Sequence, residues 1–178
     1  MSKRSGPPPS SLTQMASRKK SAGLILYRFR ENRLEVLIAH MGGPLWMKKV
    51  RKGRRGWSIP KGEYTEGEAA FDAARREFRE ETGFDPPGSE AIPLGQIRQK
   101  SGKRVTAWAL EGELDPARAK SNTVTIEWPP KSGKEMDFPE VDRVEWVAPD
   151  TARKRIIEGQ QELMDRLESH LQRTSGRA

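Results

Sequence analysis

Three glutamates, Glu77, Glu80 and Glu81, stand within one short run, RREFREETGF (75–84), with Arg75, Arg76 and Arg79 between them. If the run is helical, steps of about 100° per residue put Glu81 near 40° and Glu80 near 300° from Glu77, so the three carboxylates share one side. Ala70, Phe71, Ala74 and Phe78 form an apolar stripe beside them. Arg76 precedes Glu80 by four residues and can hold its orientation, while Arg75 and Arg79 face solvent. Like charges at this spacing repel by roughly a few tenths of a kcal/mol per pair. A hard divalent cation wants such oxygen donors and keeps waters and substrate phosphates in its other positions. The residues alone leave two readings open, a metal site and an ordinary charged helix face.

The elements around this run are readable in outline. The periodicity predicts a helix over 66–82, stopped by Gly83, with Thr65 and Glu68 at capping-box spacing. SAGLILYRF (21–29) and RLEVLIAHM (33–41) read as a hairpin, and WSIP as a short strand ended by Pro60. Residues 42–56 read as an exposed loop, rich in glycine and carrying Lys48, Lys49, Arg51, Lys52, Arg54 and Arg55. IPLGQIRQ, RVTAWALEG, TVTIEW and RVEWVAP suit strands, with a second loop over 129–139. A last helix is expected over about 150–173, with Ile156, Leu163, Leu167 and Leu171 as its apolar positions. Strands broken by one central helix and followed by another predict an α/β layered domain with a mixed sheet.

With 178 residues the chain suits one domain, placed here at 21–173. Residues 1–20 are basic and Pro-rich and read as a flexible tail, and 174–178 as a disordered tail. Met15 is an alternative start. Cysteine is absent, which excludes disulfides, thiolate nucleophiles and cysteine-ligated zinc. No apolar run has the length of a membrane span or the form of a signal peptide, so no membrane partner is expected and a cytoplasmic location is the default. A net charge of +8 suits a nucleotide polyphosphate, nucleic acid or simple solubility, and decides nothing among them.

Residues 62–84, GEYTEGEAAFDAARREFREETGF, resemble the Nudix box. The matching positions are Gly62, Glu68, Arg76, Glu77, Phe78, Glu80, Glu81, Gly83 and Phe84, with no departure. Chance agreement at the fixed positions is well below about one in a million. The likeness extends over roughly 21–148 through SAGLILYRF, WSIPKGE and EVDRVEWV. It implies a Nudix-type α/β/α sandwich with a mixed β-sheet and a C-terminal helix. It also implies hydrolysis of a nucleoside diphosphate linked to another group, with Mg²⁺ (or Mn²⁺) as cofactor. By position, Glu77 and Glu81 would be metal ligands, Glu80 a direct or water-mediated one, and the Lys61 carbonyl a further one. Arg76 would orient the cluster, and Gly62 would allow a tight backbone turn. Glu68 is read as a helix cap. The attacking water needs a base; the candidates are Glu80, Glu81 and, outside the box, Glu140, with Asp137 and Glu135 behind them.

Substrate readings are thinner. The basic segment (Lys48, Arg51, Arg54), Arg98 with its neighbours Lys100, Lys103 and Arg104, and Trp108 are the candidate substrate contacts; Trp46 and Trp128 are further candidates for stacking. Trp57 is expected in the core, and His40 and His170 are ordinary residues. PKGE (60–63) is similar to the dinucleoside and inositol polyphosphate branches of the family. The leading expectation is therefore a nucleotide or dinucleoside polyphosphate. The alternatives are a 5′-end RNA pyrophosphohydrolase and a non-catalytic nucleotide- or RNA-binding module.

Overall fold

A computed structural model describes residues 20–175. Strands β1 (Lys20–Arg30) and β2 (Arg33–Met41) form the expected hairpin, turned by Glu31 and Asn32 at φ 51° and 59°. Two consecutive positive φ values match the right-handed twist of the strands that leave the turn. Helix α1 (Gly43–Arg51), strands β3 (Trp57–Ser58) and β4 (Lys61–Glu63) and helix α2 (Ala70–Thr82) follow. Next come β5 (Ile92–Arg98), β6 (Arg104–Glu111), β7 (Thr123–Glu127), β8 (Glu135–Pro139) and β9 (Val141–Val147). Helices α3 (Pro149–Arg155) and α4 (Gln161–Ser175) end the described chain.

The main sheet runs β3-β2-β1-β6-β5, with β9 on β2 and β4 on β1. It is mixed, because β1 and β6 run parallel, from Lys20 opposite Arg104 to Tyr27 opposite Glu111. Period-two alternation splits each central strand between two cores. Leu24, Leu26, Leu37, Ala39 and Leu110 pack on Ala73, Ala74 and Phe78 of α2. Ile25, Tyr27, Val36, Ile38, Val105 and Ala107 face the opposite way, onto Ile156, Leu163, Met164 and Leu167. The molecule is an α/β/α sandwich, with Trp57 in the second core.

Strands β1 and β2 pair only near their turn, from Tyr27 opposite Val36 to Arg30 opposite Arg33, and then diverge. Residues 57–63 fill the opening as a wedge, β3 pairing with β2 and β4 with β1. The Leu24 N–H donates to the Pro60 carbonyl at 3.0 Å. A Cβ on Gly23 would stand 2.8 Å from Pro60 O, so only glycine admits this approach. From the far layer, buried Gln160 accepts the Ile59 N–H at 2.9 Å and donates to Ser58 Oγ at 2.9 Å.

Several expectations change. Residues 43–51 are helical, with Pro44 in the first turn and Lys48, Lys49 and Arg51 in the last, where cations suit the helix dipole. Residues 135–139 form β8, paired with β7 in a separate ribbon. Helix α2 begins at Ala70, and its N-cap, Ala69, offers no side chain. Its predicted stop holds: Gly83 is left-handed at φ 76° and donates to the Arg79 carbonyl. The expected single last helix is broken after Arg155, because Ile156 bridges to Trp57 and the Ile157 N–H donates to the Trp57 carbonyl at 3.0 Å. Lys20, read as tail, opens β1, and α4 runs through Thr174 and Ser175. The rest of both tails, Met15 included, lies outside the described residues. Among the described residues no helix is long and apolar enough to cross a membrane.

Candidate active site

Helix α2 turns its carboxylate side toward the wedge. Glu77 is only 8% exposed and Glu81 only 5%. Gly62 lies so close to Glu77 that an added Cβ would fall 1.9 Å from Glu77 Cδ; the glycine serves close approach rather than a turn. The Lys61 N–H donates to Glu81 Oε2 at 3.0 Å. In an extended strand a residue's N–H and C=O leave on the same side, so the Lys61 carbonyl faces this edge too.

Arg76 ties the cluster together. Its Nε and Nη2 donate to the two oxygens of Glu68 at 2.8 and 3.0 Å, a forked pair. Its Nη1 donates to Glu77 at 2.7 Å and Glu80 at 3.2 Å, and Nη2 reaches the Glu63 carbonyl. Glu68 therefore anchors Arg76 and does not cap α2. Its pull on the guanidinium, with that of Glu77, holds Arg76 firmly charged.

A cavity of about 470 Å³ opens in front of these groups. Glu63, Glu77, Glu81, Glu140, Lys61, Lys103 and Lys49 supply its charged lining, with Lys103 paired to Glu63 at 2.8 Å. Burial pushes the Glu81 carboxyl up to about 8 against the opposing Lys61 ammonium and N–H, and Glu77 and Glu140 push the same way. Glu77 is also raised by burial, despite Arg76. Burial lowers the Lys61 ammonium, with Glu81 opposing. Among the described residues the Glu140 carboxylate makes no side-chain hydrogen bond or ion pair, and it shares the cavity with both buried glutamates.

Among the described residues no three carboxylate or imidazole groups stand close enough to enclose a cation as they are. The donors nonetheless fit a hard divalent ion in kind. Glu77 and Glu81 are buried oxygen donors whose charge the surroundings leave incompletely balanced. Glu80 is turned onto Arg76 and does not line the cavity.

The predicted substrate contacts are not gathered here. Lys48, Arg51 and Arg54 lie exposed on or just after α1, and Arg98 is exposed at the end of β5. Trp108 packs against Phe71 at 5.2 Å, ring to ring, outside the cavity. Of the basic and aromatic candidates, Lys103 and Trp46 reach it, beside Lys49, Lys61 and Phe138. Sequence reasoning missed the wall formed by Val124, Ile126 and Phe138 on the ribbon. Their alternation with polar neighbours in TVTIE and EMDFP was the available signal. A larger hollow of about 870 Å³ elsewhere is lined by Arg28, Glu113 and Trp146, but Arg28 is already paired with Glu35 and Glu113 at 2.7 Å each. It has no cluster of unbalanced buried carboxylates.

Comparison with known proteins bears on the fold. No curated protein matches the chain. Among solved structures, the NUDIX domain of Shewanella oneidensis NrtR complexed with ADP ribose is similar at a TM-score of 0.58 and 15% identity, over 87% of this chain and 89% of that one. The C. elegans Ap4A hydrolase, in a binary complex, is similar at 0.57 and 21% identity, over 86% and 97%. A Nudix hydrolase from M. smegmatis, RenU, is similar at 0.52 and 18%, over 86% of each. At such identities the likeness speaks for the fold. The NUDIX domain family model matches residues 18–167, which takes in the wedge, the carboxylate helix and Glu140. The chain belongs to the NUDIX domain family.

Proposed function

We propose that this Nudix pyrophosphohydrolase cleaves the diphosphate linkage of a nucleoside diphosphate derivative, a nucleotide or dinucleoside polyphosphate, with Mg²⁺ (or Mn²⁺). The observation that carries this reading is a pair of buried carboxylates, Glu77 and Glu81, sharing one cavity with Lys49, Lys61, Lys103 and Glu140. Glu77 and Glu81 would hold the cation together with the Lys61 carbonyl; Glu80 would join them only by leaving Arg76 or through a water. When bound, the cation offsets charge on non-bridging oxygens and makes a bound water more acidic. Arg76 fixes Glu77 through its forked anchor on Glu68. Lys49, and Lys103 once it leaves its 2.8 Å ion pair with Glu63, would draw the phosphate chain toward the carboxylates that otherwise repel it. Glu140, which lines the cavity and is hydrogen-bonded to no other side chain among the described residues, would accept the proton of the attacking water, ahead of Glu80 and Glu81. The similarity to an Ap4A hydrolase and to an ADP ribose complex supports a nucleotide as the molecule attached.

The test is phosphate release with Mg²⁺ from a panel of dinucleoside polyphosphates, NTPs, ADP-ribose and 5′-triphosphate RNA, using wild type, Glu81→Gln and Glu140→Gln. Turnover of a small nucleotide that both variants lose supports the proposal. Full activity in Glu81→Gln sinks the metal assignment, and turnover of RNA alone moves the protein to the RNA pyrophosphohydrolase alternative.

A further inference from the structure

The last carbonyls of a helix have no donor within it and must find one elsewhere. In α2 a single distant segment, 120–122, supplies two of them. The Lys120 N–H donates to the Thr82 carbonyl at 2.9 Å, and the Asn122 N–H to the Glu80 carbonyl at 2.7 Å. The same segment grips the chain where β8 gives way to β9. There the Glu140 N–H donates to the Asn122 carbonyl at 3.1 Å, and the Val141 N–H to Ser121 Oγ at 3.1 Å. The Ser121 hydroxyl donates in turn to the Asn122 carbonyl at 2.8 Å, so it touches both bonds. On the other side the Glu140 carbonyl accepts the Gly42 N–H at 2.8 Å, and a Cβ on Gly42 would fall 2.2 Å from the Pro139 carbonyl oxygen. Glu140 itself belongs to neither β8 nor β9, so these bonds hold its backbone. Hydrogen bonds thus join the carboxylate helix to Glu140 through Asn122 alone, with Ser121 as the side chain that braces the junction.

Resting on the proposed reaction, in which Glu140 accepts the proton of the attacking water, we propose that Ser121 is a positioning residue for that step. It ties the backbone of Glu140 to the helix that carries Glu77 and Glu81, and so sets where the base stands relative to them. Without the hydroxyl the Val141 N–H loses its acceptor and the 140–141 backbone is free to move away from α2, taking the Glu140 carboxylate with it. Ser121 does not line the cavity, so its loss leaves the groups that meet the substrate in place.

The test is kcat and KM for phosphate release by Ser121→Ala, Ser121→Thr, Glu140→Gln and the Ser121→Ala/Glu140→Gln double variant, with amide hydrogen exchange of the same proteins. Ser121→Ala should lower kcat about 10- to 100-fold, as for a base misplaced by up to about 1 Å, with KM within about twofold of wild type. Ser121→Thr, which keeps the hydroxyl, should recover most of the loss. Added to Glu140→Gln, Ser121→Ala should lower the residual rate no further, because its effect passes through the Glu140 carboxylate. With no substrate present, exchange of the Val141 amide should quicken about 2- to 13-fold in Ser121→Ala, the worth of one ordinary hydrogen bond, and stay slow in Ser121→Thr. Unchanged kcat in Ser121→Ala, an equal loss with and without Glu140, or unchanged exchange would overturn the proposal. Full activity in Glu140→Gln would instead overturn the base reading, with the exchange result still deciding whether Ser121 holds this backbone.

Discussion

Replacing Gly62 with alanine would set a methyl carbon 1.9 Å from Glu77 Cδ and 2.0 and 2.2 Å from its two oxygens. Real Cβ contacts stay beyond 3.0 Å, so the carboxyl must withdraw by about 1.1 Å, the difference between those two distances. Doing so strains its 2.7 Å bond to Arg76, which Glu68 holds by a forked pair. Displacing a reacting or positioning group by about 1 Å costs on the order of 100-fold in rate. Overpacking of a filled site costs about 1–3 kcal/mol, which in a domain of this size lowers the unfolding midpoint by roughly 2–12 °C. The assay is kcat/KM for phosphate release on the best substrate of the panel at saturating Mg²⁺, with a thermal melt of the same preparation. A folded Gly62→Ala protein, active at about one hundredth of wild type, is expected. Wild-type kcat/KM in this variant would refute the argument that Gly62 is there to let Glu77 lie against β4.

Two further outcomes follow from burial. Because Glu81 rises from 4.5 to about 8 on folding, the metal-free native state holds a proton there that the unfolded chain has released. Its stability should therefore fall as pH rises between about 4.5 and 8, and Glu81→Gln should flatten that decline; urea midpoints in chelator across this range measure it, and parallel curves for the two proteins would contradict it. Gln160→Leu leaves the buried Ile59 N–H without its acceptor and should cost about 1–3 kcal/mol by urea unfolding, with phosphate release falling as well because β4 follows directly; unchanged unfolding would mean another group satisfies Ile59.

The carboxylate helix was legible because a fixed helical period converts spacing into a shared face, and the box supplies that spacing. The β1–β2 hairpin and the Gly83 stop were legible for the same local reason. What failed was competition between local rules and distant partners. Thr65 and Glu68 have capping spacing, yet a forked, charge-assisted bond to Arg76 takes the Glu68 carboxylate instead. The expected last helix breaks where Trp57, about a hundred residues earlier, captures Ile156 and Ile157. Residues 42–56 looked like loop because glycine and lysine dominate them, although Pro44 near the start and cations near the end are also what a short helix carries. The apolar side of the cavity was illegible because Val124, Ile126 and Phe138 come to it only through tertiary folding. Charge alone pointed to Lys48, Arg51 and Arg54, which stand in solvent.

The wedge between β1 and β2 also makes the candidate site a joint product of early and late parts of the chain. All the box glutamates leave the ribosome early, but the segment leading into the strand that presents Lys61 and Gly62 to them is clamped by Gln160 at Ile59 and by the Trp57–Ile156 bridge. Glu140 and β9, which pairs with β2, are also late. A nascent chain halted before about residue 160 carries every box residue and lacks the clamp that seats them.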